Sequence, residues 1–216
     1  MANVFPPFKV DIAGAFCVPR VLEDARKQYF DGQMSRQDLQ MIEDTQVRNL
    51  IERLKQGMMQ VVTDGGYRSR DFLEGWDGIR SKDGGPLCKG SALELTGRIG
   101  LHQHPVIEEY AFLAEAAGEG VIPKQHLPSP AEVMSQLFQR VERSQLESVY
   151  SDMKWLLDDI ASCYRFLLNK LWEAGCRYIQ FDGTHSMIVE DPIRLNNRVL
   201  RECPTELYVA FHAPTD

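Results

Sequence analysis

Short apolar runs alternate along this chain with long stretches in which apolar residues recur at helical spacing, and that alternation restricts the fold more than any other feature. Strand-like segments separated by helices are joined by right-handed crossovers into parallel βαβ units. The clearest instance is Gly175-Cys176-Arg177-Tyr178-Ile179-Gln180-Phe181-Asp182, where a long helical pattern ends, a short apolar strand begins and a carboxylate closes it. In parallel α/β folds the C-terminal strand ends face the ligand, which makes Asp182 a candidate site residue. Asp at a strand end also caps helices and forms turns, and the octapeptide by itself does not separate these roles.

Four further segments read as core strands: Phe8 to Ile12 leading into Ala13-Gly14-Ala15-Phe16, Met58 to Thr63, Val121 to Leu127, and Glu206 to Phe211. Between them the spacing predicts a helix from Pro19 that breaks at Asp31-Gly32, and a longer one capped by Ser35 that stops at Gly57. Pro105 to Ala117 reads as a short helix, and Ser129-Pro130 as the cap and first residue of another. Ser148 to Ala174 is a long amphipathic helix, and Asp191-Pro192 opens a last one through Val199-Leu200. The glycine-rich stretch from Asp71 to Pro86 reads as an excursion, and Ala92 to Gly100 as a hairpin. Five strands of this kind fall short of a closed (β/α) barrel, which uses about eight over roughly 250 residues. The expected fold is therefore α/β and barrel-like but incomplete, in one domain over residues 1–216. A five-stranded doubly wound sheet competes, although the first strand-helix turn lacks Gly-x-Gly-x-x-Gly.

Composition narrows the function classes. A 44% hydrophobic and 25% charged chain has the balance of a globular protein, which sets aside disordered and fibrous classes. A formal charge of −7 without clustered Lys and Arg argues against a nucleic-acid surface. No apolar run reaches membrane-spanning length and the first residues do not resemble a leader, so the expected location is the cytoplasm. Cys17, Cys88, Cys163, Cys176 and Cys203 are odd in number and scattered, which predicts reduced, mostly buried thiols.

Asp182, Asp64, Ala15, Ser129 and His212 all fall at predicted strand ends. An Asp there can hold a substrate ammonium, and a His can ligate a metal through a neutral imidazole nitrogen. His102 and His104 would share one face of a strand, a weak metal pair without a third ligand. No Gly-x-Ser-x-Gly elbow and no phosphate loop is present, and Cys176, at a helix C-terminus, reads as a packing residue.

Several motifs together resemble the catalytic-domain family of cobalamin-independent methionine synthase. They are Ala13-Gly14-Ala15-Phe16 with Pro19-Arg20, Glu43-Asp44, Val61-Val62-Thr63-Asp64-Gly65-Gly66-Tyr67-Arg68, His104-Pro105-Val106, Leu127-Pro128-Ser129-Pro130, the stretch ending at Asp182, and Leu207 to His212, in family order. The resemblance implies a (β/α)₈ barrel in which a zinc-bound homocysteine thiolate takes the methyl group of 5-methyltetrahydrofolate. By that resemblance Asp182 holds the amino group of homocysteine, Gly14 and Ala15 lie against the substrate, and His212 is the first zinc ligand. The chain departs from the family at three places: Ala15 stands for a serine, Gly66 for a glutamate and Pro214 for a cysteine ligand. The later glutamate and cysteine ligands of the family lie beyond Asp216, so the expected zinc site is incomplete and the C-terminal part of the barrel is missing. Exposed strand edges then favour a homo-oligomer or a complementing second chain. The alternative is a catalytically degenerate homologue that binds a small molecule or a partner.

Overall fold

The structure, a computed structural model, describes residues 8, 10–68, 70–183 and 192–212. The chain divides into two compact units, Met1–Ser69 with Phe112–Gln125, and Arg70–Ala111 with His126–Asp216.

In the first unit, α1 (Arg20–Phe30) buries Leu22 and Ala25, and α2 (Arg36–Gln56) buries Leu39, Val47, Leu50 and Ile51. The Ser35 hydroxyl accepts the Asp38 N–H at 3.1 Å, the cap read from the sequence, and Gly57 ends the helix. The expected strand Met58 to Thr63 contracts to β1 (Val61–Val62), whose two valines are fully buried. It pairs in parallel with Ile122–Pro123, the strand β4 of the second half of this unit. The Ile122 N–H donates to the Gln60 carbonyl and the Lys124 N–H to the Val62 carbonyl, both at 2.9 Å, so the N–H that Pro123 lacks belongs to the edge facing away from β1.

The predicted strand Phe8 to Ile12 is not found among the described residues. Lys9 lies outside the described residues, and residues 10–12 join no ladder. The Ile12 N–H turns to the Asp11 carboxylate at 2.7 Å, a local bond that competes with sheet pairing. The buried Lys124 ammonium instead holds this segment, through Asp11 at 2.8 Å and the Ile12 carbonyl.

In the second unit the supposed excursion contains β2 (Trp76–Ser81), which pairs antiparallel with β3 (Leu93–Leu101). The expected hairpin within Ala92 to Gly100 is thus one strand of a wider pair. Glycines misdirected the sequence reading, because Gly78 serves the ladder. It sits at φ +75° where the register shifts, and a Cβ there would come within 2.5 Å of the Arg98 carbonyl oxygen. Helix α3 (Pro105–Ala117) matches its predicted span, and its residues up to Ala111, which belong to this unit, include the buried Val106 and Tyr110.

The rest of the unit is built around a sheet in the order β5 (Gln125–Pro128), β6 (Tyr178–Asp182) and β7 (Tyr208–His212). Strands β6 and β7 are parallel and joined through α7 (Pro192–Leu200), a βαβ unit of the expected kind. Helix α4 (Pro130–Arg140) follows the Ser129 cap, α5 (Arg143–Val149) is short, and α6 (Met153–Glu173) buries Leu156, Ile160, Tyr164, Leu167, Leu168 and Leu171. Tyr164 is fully buried and donates its hydroxyl to the Pro128 carbonyl at 2.6 Å, so the long helix is fixed against the end of β5.

Strands in the described residues fall into three separate sheets, and no closed barrel forms among them. The architecture is mixed α/β, and the expected barrel holds only at that level. All five cysteines are free, but only Cys163 and Cys176 are buried, fewer than expected. Among the described residues no helix is long and apolar enough to cross a membrane.

Candidate functional site

The sheet β5-β6-β7 delivers polar side chains to one place. Gly175, in the left-handed region at φ +92°, turns the chain sharply out of α6 and into β6, whose first four residues are buried. The strand ends at Asp182, whose side chain keeps about a third of its surface exposed. Parallel register sets His212 opposite Asp182, with Nδ1 3.3 Å from Oδ1. Gln180, two residues earlier and so on the same face, donates its amide N–H to Oδ1 at 2.6 Å. From β5, His126 places Nδ1 3.2 Å from Oδ2.

The protonation of this group follows from chemistry. An ionised carboxylate only accepts, so His126 Nδ1 carries the hydrogen facing it. The Gln180 amide, 3.3 Å from the same nitrogen, then makes a contact there and its hydrogen bond to Asp182. Burial pushes the Asp182 carboxyl up, but the bonds from His126 and Gln180, with the charges of His126 and His212, outweigh it and hold the pKa below the ordinary carboxylate value.

Ser129 has a structural job. Fully buried, it accepts the Glu132 N–H at 3.1 Å as the cap of α4, donates its hydroxyl to the Gly183 carbonyl at 2.8 Å, and gives its own N–H to the Asp182 carbonyl at 2.7 Å. It thereby fixes the backbone on which Asp182 stands. Cys176 is packing, as read: its thiol is buried and pushed up to about 12 by that burial.

Gly14, Ala15 and Asp64 belong to the first unit. The Phe16 N–H bonds the Gly65 carbonyl at 3.0 Å, which draws the segment around Ala15 against the turn Asp64-Gly65-Gly66. Asp64 spends its carboxylate on the Gly66 N–H at 3.0 Å, a turn role. Gly66 sits at φ +70°, and a Cβ on it would lie 2.9 Å from the Cβ of Ala15. Two of the three positions that depart from the resembled family therefore face each other. Installing the glutamate by Gly66→Glu is expected to destabilise the protein by about 1–3 kcal/mol, since it forces a residue with a side chain into the left-handed region against Ala15. Thermal unfolding checks this, and a variant as stable as the parent would refute it.

The pair His102 and His104 separates. Neither is in β3, so the supposed common strand face does not exist. His102 is exposed and pairs with Asp77 at 2.6 Å. His104 is buried, donates Nε2–H to the Phe72 carbonyl at 2.8 Å and accepts the Val106 N–H on Nδ1 at 3.1 Å, which caps α3. Burial lowers its pKa, opposed by the Phe72 bond and assisted by Arg70. Above the ordinary value of about 6.5, folded and unfolded chains are both neutral there and the residue adds no pH dependence. As pH falls through that value the unfolded chain takes a proton that the folded one resists, so stability drops. Denaturant titrations at pH 7.5 and 5 should show this loss, and His104→Asn, which can still cap the helix, should diminish it.

His212 and Asp182, two of the expected strand-end residues, lie opposite each other on adjacent strands, while His126 and Gln180 enter from structure. Pro214, the third departing position, lies outside the described residues. Among the described residues no three His, Cys, Asp or Glu side chains are grouped to hold a metal ion, so the described donors do not fit a zinc centre.

No protein-family profile matches the sequence. The chain is 31% identical over 217 residues to the uncharacterised protein YxjH of Bacillus subtilis (strain 168), covering 95% of this chain and 56% of that one. It is 30% identical over 190 residues to YxjG of the same organism, covering 83% and 49%. The chain thus spans about half the length of the curated relatives it matches. Among solved structures, a provisionally assigned vitamin-B12-independent methionine synthase from Listeria monocytogenes superposes with a TM-score of 0.80 at 28% identity, over 97% of this chain and 66% of that one. A B12-independent methionine synthase from Shewanella sp. W3-18-1, solved in complex with selenomethionine, gives 0.63 at 17% identity over 83% and 53%, a likeness of fold alone. The fold is methionine-synthase-like.

Proposed function

We propose that this methionine-synthase-like chain binds a sulfur-bearing α-amino acid, homocysteine or methionine, with Asp182 as the anchor of its ammonium group. One observation carries the reading: an ionised, partly exposed carboxylate stands at the C-terminal end of β6, oriented by neighbours on both oxygens. Each carboxylate oxygen has two lone-pair sites, so Oδ2, which bonds His126, can accept a further N–H, while Oδ1 faces both Gln180 and His212. The charge pair forms in a half-buried place, where it is worth more than at a free surface. The Shewanella protein of the same fold holds selenomethionine, an amino acid of this class.

The reaction that the resemblance implies is methyl transfer from 5-methyltetrahydrofolate to the homocysteine thiol. Zinc would supply the thiolate in such a reaction by lowering the thiol pKa. His212 is the described residue that matches a zinc ligand, and the described donor set does not complete a centre around it. What the chain's own residues do is hold and orient the amino acid. A second reading, binding without turnover, is favoured by Ala15 and Gly66, which offer neither the hydroxyl nor the carboxylate of the family.

Calorimetry with L-methionine, L-homocysteine and the deaminated analogue 4-(methylthio)butanoate tests the proposal. Binding of both amino acids, with the analogue much weaker, is the expected result. Equal binding of the analogue, or none of the amino acids, would overturn it. Zinc content and methyl transfer to homocysteine, measured on the same preparation, then separate the enzyme from the binding protein.

A further inference from the structure

We infer that His126 is a positioning residue for the amino-acid anchor, holding the Asp182 carboxylate in the rotamer that receives a ligand ammonium. The inference rests on the reading of Asp182 given above, and it names a residue of β5 that the family resemblance does not assign.

The geometry divides the labour between the two carboxylate oxygens. Gln180 takes Oδ1 from within the same strand at 2.6 Å, and His126 takes Oδ2 from the neighbouring strand at 3.2 Å. One bond leaves the carboxylate free to swing about its Cβ–Cγ axis, whereas two donors on different oxygens fix its plane. His126 is suited to this and poorly suited to touching the ligand, because its side chain is 17% exposed and its Nε2 is buried. The third neighbour, His212, is 40% exposed on its side chain and approaches the oxygen that Gln180 already holds. Oδ2 thus depends on β5 for its orientation. Gln180 is itself buried, and it touches both His126 Nδ1 and Asp182 Oδ1, so the three side chains form one packed group.

Partners that orient metal-ligating side chains change affinity by roughly 10- to 100-fold when removed, and the same orienting role at a carboxylate anchor sets the scale here. His126→Ala is therefore expected to weaken L-methionine binding about tenfold or more. In His126→Asn the amide nitrogen stands close to where Nδ1 was and can donate to Oδ2, so binding should return to within about threefold of the parent. That rescue separates orientation from bulk packing, since Asn leaves much of the ring volume empty as Ala does. An Ala variant that binds like the parent, or an Asn variant as weak as Ala, overturns the inference while leaving the Asp182 reading standing. A parent protein that binds no sulfur amino acid overturns both. If the Ala variant does not fold, the imidazole ¹⁵N signal of His126 in the parent decides: a shift on adding L-methionine but not 4-(methylthio)butanoate supports the role, and identical behaviour with both ligands overturns it.

Discussion

Replacing Asp182 by Asn is expected to weaken L-methionine or L-homocysteine binding by about 2–4 kcal/mol, roughly 30- to 1000-fold, with little change in stability. The size follows from leaving a ligand ammonium half-buried without its counter-charge, which costs more than losing a neutral hydrogen bond. The small effect on folding follows from the neighbours. The Asn carbonyl can accept from Gln180 as Oδ1 does, and the Asn amide takes the place of Oδ2 beside His126 Nδ1. The folded site keeps the Gln180 bond and loses only the part of its stability that came from the charge, a small part for a partly exposed carboxylate. Calorimetric titration beside a thermal unfolding curve reads the two effects separately. An Asp182→Asn variant that binds within about threefold of the parent would remove Asp182 from the anchor role, and a large fall in unfolding temperature would instead make the residue structural.

The same site shows why sequence reasoning reached one side of it and missed the other. Asp182 was legible because an apolar run with helical flanks fixes both the strand and its end, and His212 because its strand ends in the same way. Gln180 carries a local signal of its own, since in a strand two residues before Asp182 means the same face. His126 had none of comparable strength. It lies inside β5, and its approach to Asp182 depends on which strand becomes the neighbour of β6, a choice that the order β5-β6-β7 reveals and local periodicity does not. Helices were read well because caps are local, as at Ser35 and Ser129, and the Pro105–Ala117 span was recovered in full. Strands are hard to read from sequence wherever a long-range partner or a special backbone decides the matter. Gly78 is a loop signal in sequence and a ladder irregularity in the fold. Residues 10–12 alternate like a strand, yet a lysine more than a hundred positions away is what holds them.

The largest stability loss is expected where the β2-β3 connection meets the end of α4. Arg140 gives Nε–H to the Ser91 carbonyl at 2.8 Å and an η nitrogen to the Cys88 carbonyl at 3.1 Å and to Asp71 at 2.6 Å. Asp71, whose side chain is 1% exposed, also accepts the Leu73 N–H at 3.0 Å. One ion pair therefore ties the chain before β2, the chain before β3 and the last turn of α4. Asp71→Ala strands a buried guanidinium, and Arg140→Met strands a buried carboxylate and two carbonyls. Each should cost about 3–5 kcal/mol, since an unpaired charge in the interior keeps its desolvation penalty and loses the attraction that offset it. In a chain of this size that is a fall of roughly 10 °C in unfolding temperature. The double variant Asp71→Ala/Arg140→Met should lose clearly less than the sum of the two, because it removes both charges together. Urea unfolding of the four proteins measures all of these quantities. Additive losses would mean that the two groups act separately, and single losses under about 1 kcal/mol would mean that solvent reaches the pair and screens it.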